Sequence, residues 1–140
     1  MNITKHNVTL TVTSLLSIVL FWIHVTDDVV RGFDRFPNPL GMLIWVVWLY
    51  GTLMLAERRS GQVIMLLGGL LAAAVPVLHM RGTGAVAKSD GAFLFLGTLL
   101  ALGVTGMFSI ILSARGLWLL IRKPDGRMIA IENESPDRRG

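Results

Sequence analysis

The sequence predicts an all-α membrane protein, an antiparallel four-transmembrane-helix bundle with a short polar cytoplasmic tail. Three observations carry this expectation. Hydrophobic residues make up 53% of the 140 and charged residues only 16%, where a soluble domain carries about 25% charged. A soluble chain this small has no single core able to hide so much apolar surface. The apolar residues also gather into four runs, each about long enough to cross a bilayer and each bounded by charge or proline.

The first span covers about 8–26. Its stretch from Val8 to Val25 holds no charge, although Thr9, Thr11, Thr13, Ser14 and Ser17 make its first half mildly polar. It is longer than a secretory h-region and ends in His24-Val25-Thr26-Asp27-Asp28 without a small-residue cleavage site, so it is expected to be retained. The second span, 40–56, follows Phe36-Pro37-Asn38-Pro39, where the prolines halt one helix and suit the start of the next. The third, 63–79, begins after the polar stretch 57–62 and contains Pro76 near its far end. The fourth, 92–113, continues as an interfacial extension to 121. Seventeen residues of helix reach roughly 26 Å at about 1.5 Å each, slightly under the hydrocarbon core. Residues 1–121 then form the membrane domain. Residues 122–140 form a polar tail, with a turn signal at Pro124-Asp125-Gly126 that suits a short hairpin and disorder expected from Glu132.

Charge placement orients the bundle. Four spans put Lys5, Arg58, Arg59, Arg115, Arg122, Lys123, Arg127, Arg138 and Arg139 on one side, against Arg31, Arg35, Arg81 and Lys88 on the other. Nine basic residues against four predict both termini in the cytoplasm and a multi-pass protein of the inner (plasma) membrane. The basic residues flank apolar runs instead of forming a polar face with interleaved aromatics. They therefore point to anionic lipid headgroups and the bilayer, not to nucleic acid. The chain has no cysteine, which excludes disulfides, thiolate metal sites and thiol catalysis.

Small residues mark helix contacts, because backbones in lipid associate by close approach. Gly68, Gly69, Ala72 and Ala73 form two small-xxx-small pairs in the third span, and Gly97, Ala101, Thr105 and Ser109 recur every four residues in the fourth. They suit contacts within the bundle, or an interface with a membrane-protein partner or a second copy.

Chemistry is expected at the outer ends of the spans. His24, Asp27 and Asp28 are spaced i, i+3, i+4 and share one face if the first helix continues through them. His79 ends the third span at the same level, with Asp34 and Asp90 in the adjacent loops. Two imidazoles with one or two carboxylates suit zinc, iron or manganese. Met42 and Met80 would suit copper, and His24 with His79 could ligate a b-type haem in a slot lined by small residues. Against a site, histidine and aspartate at helix ends also face water, and Asp28 could pair with Arg31. His6 is expected to be a solvated terminal residue. Trp45 and Trp48, three apart, could form a stacking wall for a lipid-like or planar ligand, or simple core packing.

No span carries a charged residue well inside it, which disfavours an ion-coupled transporter built on a buried carboxylate. No catalytic set and no family motif is present. The sequence alone slightly favours a non-catalytic accessory or assembly protein of a larger membrane complex. The alternatives are a metal- or haem-binding protein, for electron transfer or metal handling, and a small solute or lipid transporter.

Overall fold

The structure is a computed structural model and describes residues 3–32, 39–81 and 92–122. Four helices follow in order: α1 (Ile3–Val30), α2 (Pro39–Met54), α3 (Arg59–Arg81) and α4 (Ala92–Arg122). Three of them, α1, α3 and α4, are long and apolar enough to cross a membrane. The 16 residues of α2 reach only about 24 Å. The expected tail hairpin and the loop residues Asp34, Arg35 and Asp90 lie outside the described residues.

Local chemistry explains the ends. α2 opens on Pro39, whose missing N–H would be unpaired in a first turn anyway. α1 runs on past the expected 26 to Val30 and closes on Gly32, whose φ of 77° is the left-handed C-terminal conformation that glycine adopts without strain. The Gly32 N–H donates to the Val29 carbonyl at 3.0 Å. This extra turn keeps Asp27 and Asp28 helical. The α2–α3 turn is tight: Gln62 donates through Nε2 to the Ala56 carbonyl at 2.9 Å. A Cβ on Gly61 would run into the Leu55 carbonyl. α4 is one continuous helix through Arg115 and Gly116, so the extension to 121 is the last turns of a single 31-residue rod.

Neighbouring helices run antiparallel. Along α3 and α4, added Cβ atoms on Gly103, Gly106 and Gly116 would meet Pro76, Ala72–Ala73 and Gln62 in turn, a register that runs in opposite directions. Gly51 faces Ile64 and Gly68 faces Trp48, which sets α2 against α3 in the same sense. α4 packs most extensively on α3 and then on α1, and α1 also touches α3 across the bundle.

The buried positions follow a seven-residue repeat. On α4 they are Phe95, Leu99, Leu102, Gly106, Ser109, Ser113 and Gly116, in steps of four and three. A 3.5-residue period keeps one seam against its neighbours in a left-handed bundle. The expected four-residue stripe therefore divides. Ser109 lies on the seam, Ala101 and Thr105 sit half-buried beside it, and Gly97 faces outward with nothing within 4 Å of an added Cβ. Each step of four turns the helix by about 40°, so such a stripe winds off the contact face. Gly68, Gly69, Ala72 and Ala73 do serve inside the bundle. Gly68 receives the Trp48 indole, Gly69 faces Ser109, and Ala72 and Ala73 face Gly106.

His6 ends up where the sequence did not place it, and Trp48 takes the core-packing alternative. His6 is 3% exposed, because α1 begins at Ile3 and its first turns are already packed in the bundle. Trp48 is 2% exposed and Trp45 is not its partner in a wall: Trp45 stacks on Trp22 at 3.8 Å, while Trp48 meets Phe21 edge-on at 6.2 Å. Trp48 also anchors a polar relay. Its Nε1–H donates to Ser14 Oγ at 3.0 Å. The Ser14 and Thr52 hydroxyls are 2.8 Å apart, and Thr52 donates to the Trp48 carbonyl at 2.9 Å. Indole nitrogen can only donate and a carbonyl can only accept. The relay therefore runs from Trp48 N–H through Ser14 to Thr52.

Candidate metal centre

The α1 seam steps from Ser17 through Phe21 to His24 and Asp28, and the α3 seam from Ala72 through Val75 to His79. Both end at the same end of the bundle, where His24, Asp28 and His79 meet. His24 Nε2 lies 3.5 Å and His79 Nε2 3.4 Å from the same oxygen, Asp28 Oδ2. One ligand atom from each residue falls within 4.8 Å of the others. The two imidazoles stand edge to face with centroids 4.7 Å apart. Phe95 of α4 closes a third side, 5.1 Å from the His24 ring and 5.6 Å from that of His79.

Asp27 does not join them. It turns aside to Arg31, one helical turn on, with Oδ2 2.7 Å from the guanidinium Nε. Consecutive helical residues point about 100° apart, so only one of the two carboxylates can follow the seam. The pair the sequence offered between Asp28 and Arg31 is thus made by Asp27. Arg31 also lies over the Phe95 ring, 5.8 Å from its centroid.

Proton positions constrain what the cluster can hold. The Val75 carbonyl sits 3.0 Å from His79 Nδ1. A carbonyl only accepts, so Nδ1 carries a hydrogen and a neutral His79 turns the lone pair of Nε2 toward Asp28. Donation of the second ring N–H to a backbone carbonyl is the support that metal-bound histidines usually have. Both ring nitrogens of His24, and Asp28 Oδ1, are buried without a hydrogen-bond partner. The lone pair of His79 Nε2 and the carboxylate repel unless a proton or a metal ion stands between them, whereas His24 can face Asp28 as a neutral Nε2–H tautomer that leaves its buried Nδ1 unpaired.

The distances suit a small ion. In a tetrahedral zinc shell, bonds of 2.0–2.2 Å place ligand atoms roughly 3.3–3.5 Å apart. The two Asp28–histidine edges already have this length, and the third, between the imidazoles, lies within 4.8 Å. A haem is a poor fit. Two axial imidazoles must stand on opposite faces of the macrocycle, whereas these rings touch each other and Phe95. The small-residue slot expected for a macrocycle is filled by Trp48 and by Ser109. Met42, part of the copper expectation, is exposed on α2.

Sequence reasoning found His24, Asp28 and His79, and offered Arg31 as a pairing partner, but not Phe95 or Val75, which complete their surroundings. The seven-residue seam was the available signal: it selects Asp28 over Asp27 and brings Phe95 to the same level. In comparisons with known proteins, no family model and no curated protein matches the sequence, and no solved structure matches the fold.

Proposed function

We propose that this protein is a four-helix membrane protein that binds one divalent transition-metal ion, zinc being the best fit, through His24, Asp28 and His79, and that it serves in metal handling. In this reading α2 is the short fourth span, the termini are cytoplasmic and the site lies at the outer end of the bundle of an inner-membrane protein, as the excess of basic residues at the other end suggests. One observation carries the reading. A single carboxylate oxygen faces two imidazole nitrogens at 3.4 and 3.5 Å, with one histidine fixed by a backbone carbonyl and neither ring nitrogen of the other hydrogen-bonded. Three protein ligands leave a fourth position open for water or an acceptor's ligand, whereas purely structural zinc sites are closed by four protein ligands. The accessory-protein reading keeps its other sequence grounds, the small size, the lack of midplane charge and of a catalytic set, and the basic tail, but the small-residue contacts among them are largely used inside the bundle.

The test is a cobalt or zinc titration of protein purified in mild detergent and stripped with chelator. Wild type should bind one ion per chain and, with cobalt, develop the visible absorption of a tetrahedral centre. The double substitution His24→Ala with His79→Ala should abolish both. Full stoichiometry in that variant would overturn the assignment.

A further inference from the structure

Beneath the metal centre the bundle closes. One turn below His79 lies Val75, and one turn along α4 from Phe95 lies Leu99. Ile18, Ala72 and Leu102 complete the layer, and none of these five is more than 8% exposed. The nearest buried polar group on α1 is Ser17, whose hydroxyl is already spent on the Thr13 carbonyl at 3.0 Å. Seven residues separate it from His24, roughly 10 Å of helix. An ion taking that route would shed every ligand in an apolar layer, where an uncompensated charge is most costly.

Exposure rises in the other direction. The side chain of His24 is 2% exposed, that of Asp28 14% and that of His79 31%. His24 is the sealed floor of the site and His79 its open edge. We infer that the site exchanges its divalent ion with one aqueous face only, the face at the His24 end, and that the layer of Ile18, Ala72, Val75, Leu99 and Leu102 blocks passage to the His6 end. This rests on the metal-binding reading above and extends it: the protein acquires or presents an ion on one side of the membrane and does not carry it across.

The absence of cysteine allows a direct test. Ser60, exposed at the His6 end, is replaced in an otherwise native chain by Ser60→Cys. The protein is loaded with cobalt in detergent, freed of unbound ion and reconstituted into phosphatidylcholine vesicles in mixed orientation. The vesicles are treated with external EDTA and then with a membrane-impermeant biotin–maleimide. After solubilisation, avidin separates molecules whose His6 end faced outward from those whose His24 end did. Cobalt should remain in the captured fraction and fall to background in the uncaptured one. Loss from the captured fraction alone, loss from both, or retention in both would each overturn one-sided exchange. A chain that takes up no cobalt before reconstitution fails earlier, and overturns the metal assignment itself.

Discussion

Asp27 and Asp28 offer an internally controlled experiment, because the same substitution at adjacent positions should have very different effects on metal affinity. Asp28 Oδ2 lies 3.4 and 3.5 Å from the two imidazole nitrogens and supplies the only negative charge among the three proposed ligands. Asp28→Asn keeps the shape and removes the charge. Losing an outer-shell partner of a metal ligand costs 10–100-fold in affinity. Losing a direct ligand should then cost at least about 100-fold, or about 2.8 kcal/mol at about 1.4 kcal/mol per decade. Asp27 instead holds Arg31 in an i,i+4 pair whose side chains are 32% and 18% exposed. Such pairs contribute about 0.3–0.5 kcal/mol, so Asp27→Asn should shift affinity by about twofold. Competition for zinc against a chromophoric chelator, in the same detergent for both variants, measures the two directly. The reasoning is refuted if Asp27→Asn weakens binding as much as Asp28→Asn, or if Asp28→Asn stays within about twofold of wild type.

Two further predictions concern the frame that holds the site. Gly106→Ala should destabilise the bundle by about 1–3 kcal/mol, since its Cβ would stand 2.7 Å from the Ala73 nitrogen and 2.9 Å from Ala72 Cβ. Gly97→Ala meets nothing and should be neutral or stabilising by up to about 1 kcal/mol through helix propensity. Thermal unfolding in detergent compares the two, and equal destabilisation would contradict the seam. In the polar relay, Ser14→Ala removes two interhelical hydrogen bonds and strands the Trp48 N–H, whereas Thr52→Ala removes one. At about 0.6 kcal/mol for each such bond in a membrane protein, Ser14→Ala should cost about twice as much. Indistinguishable unfolding of the two variants would remove the relay's proposed order.

The sequence by itself determined the helices. Hydrophobic content, the proline-bearing Phe36–Pro39 segment and the charged turn at Glu57–Arg59 are local properties, and they marked four apolar elements with their ends within a few residues. It also named the chemistry-bearing residues at one end, because His24, Asp28 and His79 stand at helix ends where polar side chains are conspicuous. Tertiary structure alone decided which of them meet. A residue's direction changes by about 100° per position, so neighbours as alike as Asp27 and Asp28 take opposite roles once the 3.5-residue seam of the packed bundle fixes the rotation of α1. The corresponding rotations of α4 and α2 turned Gly97 outward and separated Trp45 from Trp48, and the packing of the first turns of α1 buried His6. Nothing in the residues taken one helix at a time sets that angle. It is set where small side chains on α3 and α4 let the backbones close, and from there the positions of Phe95 and Val75 around the two histidines follow.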